Sequence, residues 1–240
     1  MRNVPAEEIA RRRAAILEDI ARAAAKARRD PAGVALMAVT KGQSAETVAH
    51  GAEAGLALFG ENRVQEGSSK IERLRSVWPR LEWRLIGPLQ TNKARTALQY
   101  FQVLESLDRE RLATRLESLL AGEDPGRVWP VLLEVNVGGE ATKSGVTVPD
   151  APRLLEAALA CPHLSVRGLM AVPPFDEDPE ASRPHFRALA RLRGELSTRF
   201  AVSLPELSMG MSHDYAVAVE EGATEVRVGT ALFGPREPQP

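Results

Sequence analysis

A chain of 240 residues with 31 basic and 32 acidic side chains, net charge -1, has no global field to draw it onto a nucleic-acid backbone or an anionic membrane. Its single cysteine, Cys161, excludes an intrachain disulfide and points to a reducing, cytoplasmic setting. Nowhere do about 18 apolar residues run together, so no membrane span is predicted, and no segment of signal-peptide type opens the sequence.

Residues 1-30 are rich in Arg, Ala and Glu and read as an extra amphipathic helix packed on the rest of the domain. Glu7, Glu8, Glu18 and Asp19 argue against a transit peptide. From Val34 onward, apolar β-branched runs alternate with helical stretches, the pattern of βα units around a parallel sheet. The predicted strands are Val34 to Val39, Leu56 to Phe59, Trp83 to Ile86, Val103 to Ser106, Val131 to Val137, Val166 to Ala171, Glu206 to Ser208 and Glu225 to Val228. Arg109 to Leu120, Ala151 to Ala160 and Pro179 to Phe200 have helical spacing. Eight strands with intervening helices predict an α/β fold, a single (β/α)8 TIM barrel spanning 1-240; an open doubly wound sheet is the alternative. Pro173 to Asp178 reads as an exposed acidic loop, and the proline-rich tail 235-240 as frayed.

In such a barrel the functional groups belong at the C-terminal ends of the strands. The first strand ends Thr40-Lys41-Gly42, and lysine is the side chain that forms imines with aldehydes. A lone lysine after a strand is more often a solvated loop residue. The second ends Gly60-Glu61-Asn62-Arg63, where Glu61 and Asn62 are either ligand contacts or helix caps. After the third come Gly87-Pro88 and a polar cluster through Lys93; after the fifth, Asn136 either faces the mouth or pins a loop that carries Lys143.

The last two junctions carry the strongest signal, because barrels often bind phosphate near strands seven and eight. Backbone N–H groups around Met211, Ser212, Gly229 and Thr230, with the two hydroxyls and the charge of Arg227, suit a phosphate dianion. The alternative is two ordinary capped turns and a barrel-interior arginine. A strand-one lysine facing this cradle suggests a phosphorylated aldehyde. His50, His163, His185 and His213 have no metal spacing, so no metal is expected, and Cys161 reads as a packed thiol.

The segments Leu36 to Lys41, Phe59 to Glu66, Ile86 to Lys93, Gly168 to Met170, Ser208 to Ser212 and Val226 to Thr230 resemble the pyridoxal-phosphate homeostasis proteins (the YggS/PROSC family), which are similar to an isolated alanine-racemase N-terminal barrel. The resemblance covers nearly the whole chain. It implies pyridoxal 5'-phosphate (PLP) as cofactor, Lys41 as the Schiff-base lysine, Ser212, Arg227, Gly229 and Thr230 at the phosphate with Met211 beside them, and Asn62 near the cofactor ring. Lys143 matches a family lysine whose role stays open. Arg84, where many members have histidine, and Gly42-Gln43-Ser44 depart from the family pattern.

A PLP racemase needs two positioned acid/base groups on opposite faces. The only tyrosines are Tyr100 and Tyr215, and Tyr215 reads as packing on its helix; 240 residues also leave no length for the second, β-rich domain of alanine racemases. No catalytic residue is therefore assigned. The resemblance implies a carrier that buffers or delivers PLP, influences amino-acid and keto-acid balance, and has PLP-dependent apoenzymes as recipients; a monomer is expected. The alternatives are a PLP-dependent racemase or decarboxylase of a small amino acid and, further off, a Schiff-base aldolase for a sugar phosphate.

Overall fold

The structure, a computed structural model, describes residues 4–140 and 144–235; Lys143 and the end of the tail lie outside the described residues. Nine parallel strands run in chain order as β1 (Ala35–Val39), β2 (Leu58–Glu61), β3 (Glu82–Leu85), β4 (Val103–Leu107), β5 (Trp129–Asn136), β6 (Val146–Thr147), β7 (Leu164–Met170), β8 (Glu206–Ser208) and β9 (Glu225–Val228). The sheet order is β4-β3-β2-β1-β9-β8-β7-β5, and a further β4–β5 pairing closes it into an eight-stranded barrel. That closure removes the open-sheet alternative. The two-residue β6 flanks only the end of β5, pairing Val135 with Val146.

The helices are α1 (Ala6–Lys26), α2 (Ala45–Glu53), α3 (Val64–Leu74), α4 (Ala94–Tyr100), α5 (Glu110–Glu123), α6 (Ala151–Leu159), α7 (Arg183–Phe200), α8 (Tyr215–Glu220) and α9 (Thr230–Phe233). None is long and apolar enough to cross a membrane among the described residues. The second strand begins two residues later than the apolar run suggests. Leu56 is buried in the turn before it, while Gly60 and Glu61, poor strand formers, are held by their register with Arg84 and Leu85 of β3.

Successive strand residues face opposite sides of the sheet. Phe59, Leu85, Leu169, Leu207, Val226 and Val228 point outward into one apolar layer shared with the helices. The inward positions differ from the stacked Val, Ile and Leu that usually fill such barrels. Arg84 of β3 reaches across to Glu206 of β8 and Glu225 of β9, and Ser208 of β8 reaches across to Glu105 of β4. The barrel axis is occupied by a charged network.

α1 is added to the outside. Ile9, Ile16, Ile20, Ala23 and Ala24 recur on one face and are buried, which at roughly 1.5–3 kcal/mol per isoleucine anchors the helix. Arginines on and just after it reach carbonyls around the C-terminal ends of α8 and α9: Arg29, three residues past α1, donates to Val219 O (2.6 Å) and to Ala223 O (2.8 Å) beyond α8, and Arg12 of α1 to Leu232 O (2.9 Å). Those two helices follow the loops that form the candidate site.

Candidate binding site at the barrel mouth

Lys41 follows β1 directly, two residues after Val39, on the face that Met37 turns toward the barrel axis. Its neighbours are pinned. Thr40 N–H donates to Gly60 O (3.0 Å) and Thr40 Oγ1 to Glu61 Oε1 (2.6 Å). Lys70 Nζ, from α3, donates to Thr40 O (2.6 Å), Glu61 Oε1 (2.7 Å) and Glu66 Oε1 (2.7 Å), and Glu66 also accepts from Gly42 N–H (2.5 Å). Gly42 has φ +75°, a conformation that favours glycine. Burial raises the Glu61 carboxyl despite Lys70; burial would also raise Glu66, but the bonds from Lys70 and Gly42 outweigh it and hold Glu66 low.

Glu61 is thus neither a ligand contact nor a cap; it is fully buried behind the strand, under α3. Asn62 is not a cap either, since Arg63 takes that position without a side-chain cap bond. Asn62 shares the inward face of Gly60, and its Oδ1 is buried without a partner. Gly87 lies so close that an added Cβ would sit 2.3 Å from Asn62 O. Pro88, Gln90 and Lys93 border a cavity of about 400 Å³ beside Asn62 and Arg63.

The last two loops do converge. Ser212 Oγ accepts from Gly229 N–H (3.2 Å) and Ala231 N–H (3.3 Å), joining the loop after β8 to the loop after β9. Buried Asp214 shapes the first loop by accepting from Met211 N–H (2.6 Å) and Ser182 Oγ (2.8 Å), and Gly210, at φ +92°, makes its turn. A Cβ on Gly229 would lie 3.3 Å from Val39 O, which sets the cradle against the end of β1, two residues before Lys41. Thr230 starts α9, and Met211 is half-buried beside Ser212. α8 and α9 have only six and four residues, and the Met211 and Gly229 N–H groups already donate to Asp214 and Ser212, so the cradle rests on the N–H groups and hydroxyls of Ser212 and Thr230 rather than on a helix dipole.

Arg227 stands apart from that cradle. Its guanidinium lies in the barrel interior, where Nη1 donates to Ser208 Oγ (2.6 Å) and Nη2 to Ala171 O (2.7 Å). The interior placement agrees with the barrel-interior alternative, and no direct bond joins Arg227 to Ser212 or Thr230 among the described residues. Asn136 pins its loop, its Nδ2 donating to Glu140 O (2.8 Å). Tyr215 hydroxyl donates to Asp19 Oδ2 (2.7 Å) on α1, and Tyr100 hydroxyl to Glu72, so both tyrosines are engaged outside the mouth.

Glu134, on β5, is a residue that motif reading missed. It is 7% exposed, its Oε2 has no partner, and burial together with nearby Asp108 pushes it up to about 7, with Arg227 offsetting only part. Its inward orientation follows only from strand alternation once β5 is known to begin at Trp129. His213, next to Ser212, has a buried Nε2, and its ring meets that of exposed Phe175 at a tilt, 4.9 Å between centroids and 54° between planes.

Residues 12–237 match the model of the alanine racemase N-terminal domain. The pyridoxal phosphate homeostasis proteins of Aquifex aeolicus and Pseudomonas aeruginosa are 45% and 47% identical, each over 92% of this chain and 96% of theirs. The chain belongs to the pyridoxal phosphate homeostasis family. A solved structure within reach of this family member is PipY of Synechococcus elongatus with PLP bound: 36% identity, TM-score 0.78, covering 90% of this chain and 100% of that one. Within the family chain, a primary amine at the end of β1, an orphaned amide oxygen at Asn62 and a two-loop anion cradle against Val39 form a donor set that fits a phosphorylated aromatic aldehyde.

Proposed function

We propose that this protein binds PLP at the barrel mouth and acts in PLP homeostasis, holding the cofactor on Lys41 for buffering or delivery. The observation that carries the reading is the apposition of Gly229 to Val39, two residues before Lys41, with Ser212 joining the two phosphate-side loops. Lys41 would supply the primary amine to which the aldehyde of PLP attaches. Ser212, Gly229 and Thr230, with Met211 beside them, receive the phosphate; Arg227 contributes positive charge from the barrel interior; Asn62 offers its amide to the ring side. When bound, PLP supplies an electron-withdrawing aldehyde that exchanges between amines.

Delivery to PLP-dependent apoenzymes suits a site that binds the aldehyde reversibly and lacks two opposed proton-transfer groups. Both tyrosines are bonded elsewhere, and Glu134 is an inward-facing carboxyl that burial pushes up to about 7. The test mixes PLP-loaded protein with a cofactor-free PLP enzyme and follows recovery of that enzyme's activity, alongside chiral chromatography of L-amino acids incubated with the loaded protein. Recovery without D-isomer formation is expected. Protein-dependent racemisation would overturn the carrier reading in favour of an enzyme.

A further inference from the structure

The charged axis of the barrel contains one oxygen with more close partners than an all-ionised network permits. Ser208 Oγ lies 2.6 Å from Arg227 Nη1, 2.6 Å from Glu105 Oε2 and 2.7 Å from Glu225 Oε1. A serine hydroxyl has one hydrogen to donate and two lone pairs to accept with. Arg227 fills one lone pair, and Ser208 donates its hydrogen to one carboxylate. The remaining carboxyl sits at hydrogen-bond distance only if it brings a proton and donates to the second lone pair.

We infer that Glu105 and Glu225 share a single proton across Ser208, and that this pair acts as a positioning device holding the Arg227 guanidinium beneath the PLP site. The inference rests on the reading of the mouth as that site. Both carboxyls are shut away from water, at 0% and 3% exposure. The facing groups are Arg84 and Glu82 from β3, Glu134 from β5, Glu206 from β8 and Arg227 from β9. Arg84 Nη1 lies 2.8 Å from Glu206, 3.0 Å from Glu225 and 3.2 Å from Glu105. With one shared proton, Glu82, Glu105, Glu206 and Glu225 carry three negative charges against the three of Arg84, Arg167 and Arg227, whereas full ionisation would leave one uncompensated charge on the network. Burial and the neighbouring Glu105 both push Glu225 upward, which makes it the resting place of the proton.

The chain of contacts Glu225, Ser208, Arg227, Ala171 O then fixes a cation whose freedom would otherwise blur the base of the site. Glu225 and Glu105 touch no ligand in this account; they act through Ser208. Glu225→Gln copies the shape and neutrality of the protonated acid, Ser208→Ala cuts the link, and the double variant Glu105→Gln with Glu225→Gln removes the negative charge that holds Arg227. The infrared spectrum of cofactor-free protein at neutral pH should contain a protonated-carboxyl band that Glu225→Gln deletes. PLP titration should give Glu225→Gln a Kd within about three-fold of the parent, while Ser208→Ala and the double variant weaken binding about ten-fold or more and shift the visible band.

Persistence of the whole carboxyl band in Glu225→Gln, or unchanged PLP binding and spectrum in folded Ser208→Ala, would sink the inference. Borohydride trapping on the parent protein separates the two levels. Failure to trap PLP there would overturn the site itself, whereas trapping with indifferent Ser208→Ala overturns only the positioning role.

Discussion

At Glu134 a single carboxyl couples the barrel to pH. In the unfolded chain it titrates near 4.5, and in the fold near 7, so the native state keeps a proton that the unfolded state has released. Its contribution is fully present below pH 4.5 and is lost as pH rises through 7. Glu134→Gln, neutral at every pH, should therefore gain on the parent by roughly 2–3 kcal/mol between about pH 5 and about pH 8, read from urea unfolding of cofactor-free protein. A constant difference would mean that Glu134 is not held protonated. Gly210 is the other residue whose replacement has a direct geometric consequence. At φ +92°, with an added Cβ 2.5 Å from Ala218 Cβ, Gly210→Ala should lower the unfolding free energy by about 2 kcal/mol or more and weaken PLP binding, because it distorts the loop that carries Ser212. Lys41 and the two loops were legible in the sequence because strand ends and glycine-flanked polar turns leave local marks. Glu134, Glu105 and Glu225 were not, because what makes them unusual is which strands stand opposite them.

Two elements outside the barrel support the mouth from behind. α3 reaches β1 through Lys70, which holds Thr40 O and two glutamates at once. Lys70→Met would leave Glu61 buried without its cation and free the turn at Gly42; a loss of about 3 kcal/mol in denaturant unfolding is expected, with PLP attachment to Lys41 slowed but not abolished. Retention of full stability would show that this clamp is incidental. α1 holds α8 through Tyr215 and Asp19, so Tyr215→Phe should cost about 1 kcal/mol and leave the Kd for PLP unchanged. Weakened binding in that variant would bring Tyr215 into the site. All eight barrel strands and the amphipathic helix are legible in the sequence, since both follow from apolar periodicity. The bounds of β2 are not, because Gly60 and Glu61 are strand by register with β3, a long-range constraint that no local propensity records.

Across the whole molecule, the main apolar layer lies between strands and helices, while the axis carries arginines and carboxyls beside a small separate apolar cluster of Val103, Leu132 and Met170. Composition could not separate these two populations, because a net charge of -1 says nothing about where the charges sit. Arg84 is the clearest case: beside Trp83 it stands out only as a departure from a family histidine, and the barrel makes it the counterion of four glutamates, Glu82, Glu105, Glu206 and Glu225. The Arg227 position was recognised from its motif, whereas its direction into the axis required the closed barrel. All of this architecture places one amine at the mouth beside one anion cradle. The most direct measurement is therefore the intact mass and peptide map of PLP-treated protein after borohydride reduction. One cofactor fixed on the peptide containing Lys41, and none in Lys41→Ala, is the expected result; labelling at another lysine, or undiminished labelling of Lys41→Ala, would contradict the account.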